Sequence, residues 1–298
     1  AAGGEVLTNA EVDEIIIRDG KAVGVRLADG HELRAPVVVS NAGVINTFEK
    51  LVPADVSNEV GYAAKAREIG ASIAHLSLYI GLEGTTEELG LEKTNLWVYR
   101  DHQHEKNFEA FRKDINAPLP VVYLSFPSAK DPDFNRRFPG KSTIEAITLG
   151  PAAPFQRWAN TSWKKRGDAY DELKASLTER LLNALYEKVP SVRGKVDIAE
   201  LSTPLTTTNF AAHPDGAIYG LSHSPARYQQ RWLRPRTPIK GLYLTGADVV
   251  SAGLVGGMMG GFVCASAVLK GNVLGQVLKH QAQTLRDKAP KPPAPARA

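Results

Sequence analysis

Cysteine, methionine and long apolar runs are all scarce in this sequence. A single cysteine, Cys264, among 298 residues excludes an intrachain disulfide and a cysteine-based zinc site and fits a reducing, cytoplasmic setting. No uninterrupted apolar run approaches about 18 residues, so no membrane-spanning helix is predicted, and the first residues do not read as a secretory leader. Charge of neither sign dominates: 36 Lys and Arg face 32 Asp and Glu, for a net +4. Part of that excess lies in the tail, at Lys279, Arg286, Lys288, Lys291 and Arg297, and reads as solvated. No basic cluster marks a folded face, which argues against nucleic acid as a partner. Ser-His-Asp and paired-carboxylate arrangements are missing too. His102 and His104 flank Gln103 without the further ligands a metal needs.

What is present suits a globular fold. Hydrophobic residues make up 43% and charged residues 23%, enough for one large or two modest cores. Residues 5–40 read as β-structure. Val12, Ile15, Ile16 and Ile17 lead to Asp19-Gly20, and the alternating Val23, Val25 and Leu27 lead to Asp29-Gly30. Asp-Gly between apolar alternations is a hairpin signal, because the tight turn needs positive φ, so two such turns predict a three-stranded meander. Val37-Val38-Val39 is β-branched without alternation, the pattern of a strand covered on both faces. Ser40-Asn41-Ala42-Gly43 ends it, at the end of a parallel strand where ligands of open α/β sheets gather.

From 47 to 235 the pattern is mixed. Strands are predicted over Ile73 to Leu82, Val121 to Phe126, Thr143 to Leu149 and Val196 to Leu201. Leu173, Leu177, Leu181, Leu182 and Leu185 recur at helical spacing until Pro190. His75 lies inside the first of these strands and reads as a satisfied structural histidine. Gln103 to Leu119 and the Pro- and Asp-rich piece around Asp131 to Gly140 read as excursions or lids.

The segment 241–271, GLYLTGADVVSAGLVGGMMGGFVCASAVLKG, carries the most information. It reads as a short buried strand, a glycine turn at Gly246-Ala247-Asp248, and a second glycine-rich stretch that opens a helix running to Leu269 and closed by Gly271. Glycines let backbone approach a ligand, and a helix N-terminus offers unpaired N–H groups and partial positive charge. The plainer reading is a glycine-rich helix packed tightly on a sheet. Asp248 either serves a ligand or caps its turn. Cys264 reads as a buried small hydrophobe, and Met258 and Met259 as packing residues.

This segment resembles the C-terminal flavin-binding motif of the phytoene desaturase, carotenoid isomerase and retinol saturase superfamily of FAD-dependent oxidoreductases, and is most similar to retinol saturases. The loop Asn209-Phe210-Ala211-Ala212-His213-Pro214 with Gly216-Ala217-Ile218-Tyr219-Gly220 and His223, and the meander ending in VVVSNAG, are similar to that family as well. The resemblance implies an α/β (α+β) chain, the C-terminal part of a two-domain FAD-binding fold of glutathione reductase-like, amine oxidase type with a mixed-sheet substrate domain. Residues 1–46 and 236–282 would belong to the FAD-binding domain, 47–235 to the substrate domain, and 283–298 to a disordered tail. It implies FAD as cofactor, with Gly246 and Asp248 near the pyrophosphate and ribityl chain. Gly253, Leu254, Val255, Gly256 and Gly257 would follow the isoalloxazine edge, Val12 would meet the adenine, and Asn41-Ala42-Gly43 would close the site. Tyr219 and His223, in the family-like loop, would position substrate or relay a proton; the plainer reading is that they pack the loop. The implied reaction is hydride transfer between flavin N5 and a carbon of a lipophilic, polyene-like substrate, as desaturase, saturase or isomerase.

One departure stands out. The family holds the FAD pyrophosphate on a GxGxxG turn after a strand, and these residues contain none. The start, Ala1-Ala2-Gly3-Gly4-Glu5-Val6, lacks an initiator Met and reads as a chain cut inside a domain. The N-terminal FAD-binding segment is therefore an expected partner, and this chain alone is expected to bind FAD weakly or not at all and to be inactive. The competing reading is a non-catalytic fragment or interaction protein that keeps the substrate-domain fold. Val273, Leu274, Val277 and Leu278 with Lys279 and Lys288 read as an ordinary C-terminal helix, with peripheral membrane contact as the other possibility.

Overall fold

Local turn chemistry builds the first element. The computed structural model describes residues 3–288. Strand β1 (Val12–Arg18) turns through Asp19 and Gly20, at φ 49° and 69°, into β2 (Lys21–Leu27). Positive φ at both central residues is the geometry that matches strand twist in a two-residue hairpin. Gly30, at φ 92°, leads to β3 (Glu32–Arg34), and the three strands form the expected antiparallel meander. Next comes β4 (Val38–Ser40), followed by α1 (Ala54–Val60) and α2 (Tyr62–Ile69) on either side of Gly61, which is left-handed.

The chain continues through β5 (Ala74–Glu83), β6 (Leu96–Tyr99), α3 (His104–Lys113), β7 (Val121–Ser125), β8 (Lys141–Gly150), α4 (Asp168–Lys188), β9 (Val196–Ser202) and α5 (Pro204–Ala211). It closes with β10 (Leu242–Leu244), α6 (Gly253–Leu269) and α7 (Val273–Lys288).

Two compact units result, one of residues 3–70 and 219–288 and one of residues 71–218. Packing accounts for these bounds, which differ from those expected at 46/47 and 235/236. Phe48, Val52, Tyr62, Ala66, Leu221 and Ile239 share a single core with Val38, Leu242 and Leu244. Tyr62 packs at a tilt between Phe48 and Trp232 at ring-centre distances of 5.0 and 4.6 Å. These residues therefore belong with the strand ends rather than with the middle of the chain.

In the second unit the sheet order is β6-β7-β8-β5-β9. Every pairing is antiparallel, where a mixed sheet was expected. Alternation divides its faces. Leu76, Leu78, Ile80, Leu82, Leu124 and Ile144 point into a core closed by Leu177, Leu181 and Leu185 of α4 and by Phe111 of α3. The predicted excursion at Gln103 to Leu119 thus contains a helix that anchors the core. The other face is half open. Register lines up Trp97, Tyr123, Ile147, Ser77 and Ser202 across all five strands. Tyr79 lies one row away between Glu145 and Glu200, so this face mixes aromatic and aliphatic side chains with serines and carboxylates.

The remaining differences have physical causes. Val39 is 47% exposed, so β4 is covered on one face only. Lys270, rather than Gly271, takes the left-handed position that ends α6. Met258, expected to pack, is exposed. Residues 283–288, expected to be disordered, continue α7, and 289–298 lie outside the described residues.

Candidate functional site

The first unit brings together two strand ends that are 204 residues apart in sequence. Strand β10 pairs in parallel with β4, Leu242 opposite Val38 and Leu244 opposite Ser40. Thr245 N–H extends the ladder to Ser40 O at 3.0 Å. Beyond this pairing each strand makes a glycine turn, at Gly43 (φ 83°) and Gly246 (φ 87°). Both turns lie at the C-terminal edge of the parallel pair, where such sheets bind ligands.

Asp248 fastens these turns. It is 6% exposed, and its carboxylate accepts Val44 N–H and Leu221 N–H, each at 2.8 Å. Those donors lie outside its own turn, so the residue ties three segments together rather than capping one. Fit is close on every side. A Cβ at Gly220 would stand 2.1 Å from Asp248 Oδ1, and one at Gly43 would stand 3.3 Å from Oδ2.

Arg227 completes the arrangement. It is 2% exposed and donates to Leu221 O at 3.0 Å and Ala247 O at 2.6 Å. Leu221 is thus held at its N–H by a carboxylate and at its carbonyl by a guanidinium. Buried charges of this kind are tolerable because charge-assisted bonds replace water. Nothing in the sequence singled out Arg227, which is followed by Arg231, Arg234 and Arg236.

His223 and Tyr219 are in the same loop. Their ring centres are 6.2 Å apart and nearly perpendicular. Arg227 Nη1 lies 2.8 Å from His223 Nε2. Desolvation, and then the Arg227 charge, hold the His223 pKa below its ordinary value, against a weaker opposing pull from Asp248. Near neutral pH this imidazole is uncharged and suited to accepting a hydrogen bond.

Helix α6 has two glycine rows with different duties. Gly256 and Gly260 face inward, where a Cβ would come within 2.0 Å of Ser251 O and 2.3 Å of Gly246 O. Gly260 therefore lets the helix lie directly on the Gly246 turn. Gly253, Gly257 and Gly261 form the second row, at four-residue spacing, with nothing within 4 Å of any added Cβ. Leu254 is 91% exposed and Val255 66%. Ala252 at the N-cap supplies no side-chain hydrogen bond. The helix thus presents an uncapped N-terminus beside smooth, open backbone.

Asn41 reaches the same turn, since its Oδ1 lies 2.1 Å from where a Gly246 Cβ would be. Ala42 adds its carbonyl to Asn46 Nδ2 at 3.0 Å. Val12 begins β1 opposite Leu27 and takes no part in these hydrogen bonds. In the second unit, His75 Nδ1 is buried without a hydrogen-bond partner, contrary to the satisfied histidine expected, and burial lowers its pKa. Cys264 is buried, as expected, and burial raises its thiol pKa.

A parallel strand pair with glycine turns and an uncapped helix start at its C-terminal edge is the arrangement at which α/β sheets gather ligands. Comparison with known proteins narrows the class. The all-trans-retinol 13,14-reductase of Macaca fascicularis is 38% identical over 285 residues, covering 91% of this chain and 46% of that protein. The neurosporene-forming phytoene desaturase of Rhodobacter capsulatus is 30% identical, covering 99% of this chain and 52% of that protein. An oxidoreductase from Methanosarcina mazei shares the fold, with a TM-score of 0.54 over 90% of this chain and 50% of that one, at 18% identity. No family model matches. This chain belongs to the retinol saturase and phytoene desaturase superfamily of FAD-dependent oxidoreductases. It spans about half the length of the curated relatives it matches.

Proposed function

We propose that this chain supplies the C-terminal wall of an FAD site in an oxidoreductase that acts on CH–CH or C=C bonds of a lipophilic polyene. The observation that carries the reading is the start of α6, uncapped and flanked by the open row Gly253, Gly257 and Gly261. A flat ring lies closely against backbone that has no side chains. The free N–H groups and the positive helix end favour electron-rich ring atoms and the negative charge of a reduced ring. These residues fit the ring edge of FAD. They do not fit its pyrophosphate, because the 298 residues contain no GxGxxG turn after a strand.

FAD, when bound, supplies the redox chemistry by taking or giving a hydride at a ring nitrogen. The chain's own residues hold and screen it. Gly253, Leu254 and Val255 direct N–H groups at the ring edge, and Gly256 and Gly257 keep the approach clear. Asp248 and Arg227 lock the Gly43, Gly246 and Leu221 segments so that the donors stay fixed. Asn41, Ala42, Gly43 and Gly246 line the ribityl side, and Val12 takes the adenine side by family resemblance. His223 and Tyr219 orient substrate, with the His223 imidazole held by Arg227. In the other unit, Trp97, Tyr123, Ile147 and Tyr79 offer the kind of apolar and aromatic surface that isoprenoid chains pack against. Relatives named for retinol and for phytoene support a polyene substrate.

One comparison favours the non-catalytic alternative. A Danio rerio relative, 34% identical over 281 residues, is named an inactive all-trans-retinol 13,14-reductase, so likeness alone does not confer activity. Anaerobic mixing separates the two readings. The chain combined with a FAD-binding segment that carries the GxGxxG turn is loaded with reduced FAD and mixed with retinol, and loaded with oxidised FAD and mixed with phytoene. A change in flavin absorbance matched by a change in polyene absorbance is expected in one arm. A flavin spectrum unmoved by both would leave the non-catalytic reading standing.

A further inference from the structure

Sheet register in the second unit sets one titratable side chain apart. His75 pairs with Leu149 on the half-open face of the sheet, one row from Ser77 and Ile147 and two rows from Tyr79, Glu145 and Glu200. Ser77 is 1% exposed and Ser202, opposite it, 8%. The His75 ring is only partly buried, yet its Nδ1 is sealed from solvent and meets no protein partner. Nε2, on the far edge of the ring, is neither sealed nor hydrogen-bonded among the described residues.

Chemistry then fixes the proton. Burial lowers the His75 pKa and keeps the imidazole neutral near neutral pH, and a neutral imidazole carries one N–H and one bare nitrogen. An N–H at Nδ1 would be a buried donor without an acceptor, which folded proteins tolerate less often than an acceptor left bare. The proton accordingly resides on Nε2, and His75 turns a single N–H donor toward the face that holds Leu149, Ile147 and Tyr123. Nδ1 is sealed within its own unit, so this assignment holds whatever packs on that face. An apolar wall with one fixed donor at its end is how a mostly hydrophobic site orients a ligand that has a single polar terminus.

We propose that His75 is a specificity-determining residue whose Nε2–H donates to the terminal oxygen of an oxygenated polyene lying along Leu149, Ile147 and Tyr123. His75 plays this part only if the polyene reading above holds, and it narrows that reading: a polyene hydrocarbon such as phytoene offers no acceptor and leaves the donor unpaired.

The chain combined with a FAD-binding segment that carries the GxGxxG turn, labelled with nitrogen-15 histidine, tests this with two probes: retinol, and the hydrocarbon that lacks its hydroxyl. The His75 ring signals, identified by their loss in H75F or H75Q, should report a bare Nδ1 and a protonated Nε2. The Nε2 signal should move with retinol and not with the hydrocarbon. Retinol should bind about three- to tenfold more tightly than the hydrocarbon. H75F should erase that preference while still binding the hydrocarbon, and H75Q, which keeps an N–H donor at similar reach, should retain part of it. A proton on Nδ1 overturns the proposal, as does a preference for retinol undiminished in H75F. Equal binding of both probes with an unmoved Nε2 signal defeats the His75 role alone, whereas a parent that binds neither probe defeats the polyene reading and the His75 role with it.

Discussion

Replacing Asp248 with alanine removes both acceptors from two buried N–H groups, those of Val44 and Leu221. A buried donor left without a partner costs about 1–3 kcal/mol, so the pair amounts to about 2–6 kcal/mol, less whatever an entering water restores. Because the bonds join three segments of the first unit, the effect should be local before it is global. Hydrogen exchange read residue by residue is the right assay. Val44 and Leu221 amides in Asp248→Ala should exchange roughly 30-fold faster or more, the equivalent of about 2 kcal/mol. Leu76 and Leu78, in the core of the other unit, should hold their protection. Asp248→Asn keeps one acceptor and sets an NH2 against an N–H, so it should fall between. Unchanged protection at Val44 and Leu221 in Asp248→Ala would refute the clasp.

Three further outcomes follow from the same geometry. Gly257→Ala fills open space in a helix and should stabilise the chain by about 0.5–1 kcal/mol, whereas Gly260→Ala drives a Cβ into Gly246 O and should cost about 1–3 kcal/mol or more; urea midpoints distinguish them. Gly257→Leu should leave that midpoint near the parent's yet weaken flavin binding, read by quenching of flavin fluorescence. For His75, burial lowers the folded-state pKa, so the unfolded chain protonates first. Stability is therefore whole above the unfolded value of about 6.5 and falls as pH drops below it. His75→Phe should flatten that loss in urea titrations between about pH 7.5 and pH 5.5.

Local patterns were legible and distant ones were not. Asp19-Gly20 and Asp29-Gly30 announced the meander because turn chemistry is written in adjacent residues. The leucine spacing to Pro190 announced α4 for the same reason. Pairing of Val38 with Leu242 had no local sign, and neither did the route of Asp248 to Val44 and Leu221. The glycine-rich run marked α6 as special but not which glycines pack and which stay open, since that depends on Ser251 and Gly246 lying beneath the helix. Arg227 carries no local mark that sets it apart from Arg231, Arg234 and Arg236. The triple valine suggested two covered faces, and the structure covers one. Residues 48–70 looked like substrate domain because helical spacing does not say which core a helix joins. Phe48 and Tyr62 settle that by packing on Trp232 and the strand ends.

The strand-end turns and the start of α6 form one side of the proposed flavin site. Titrating FAD into the nitrogen-15-labelled chain and following backbone amide shifts tests this even where binding is weak. The account predicts shifts concentrated at Asn41 to Gly43, Ala247 and Gly253 to Gly257, and their loss in Gly257→Leu. Shifts scattered elsewhere, or none at saturating FAD, would contradict it.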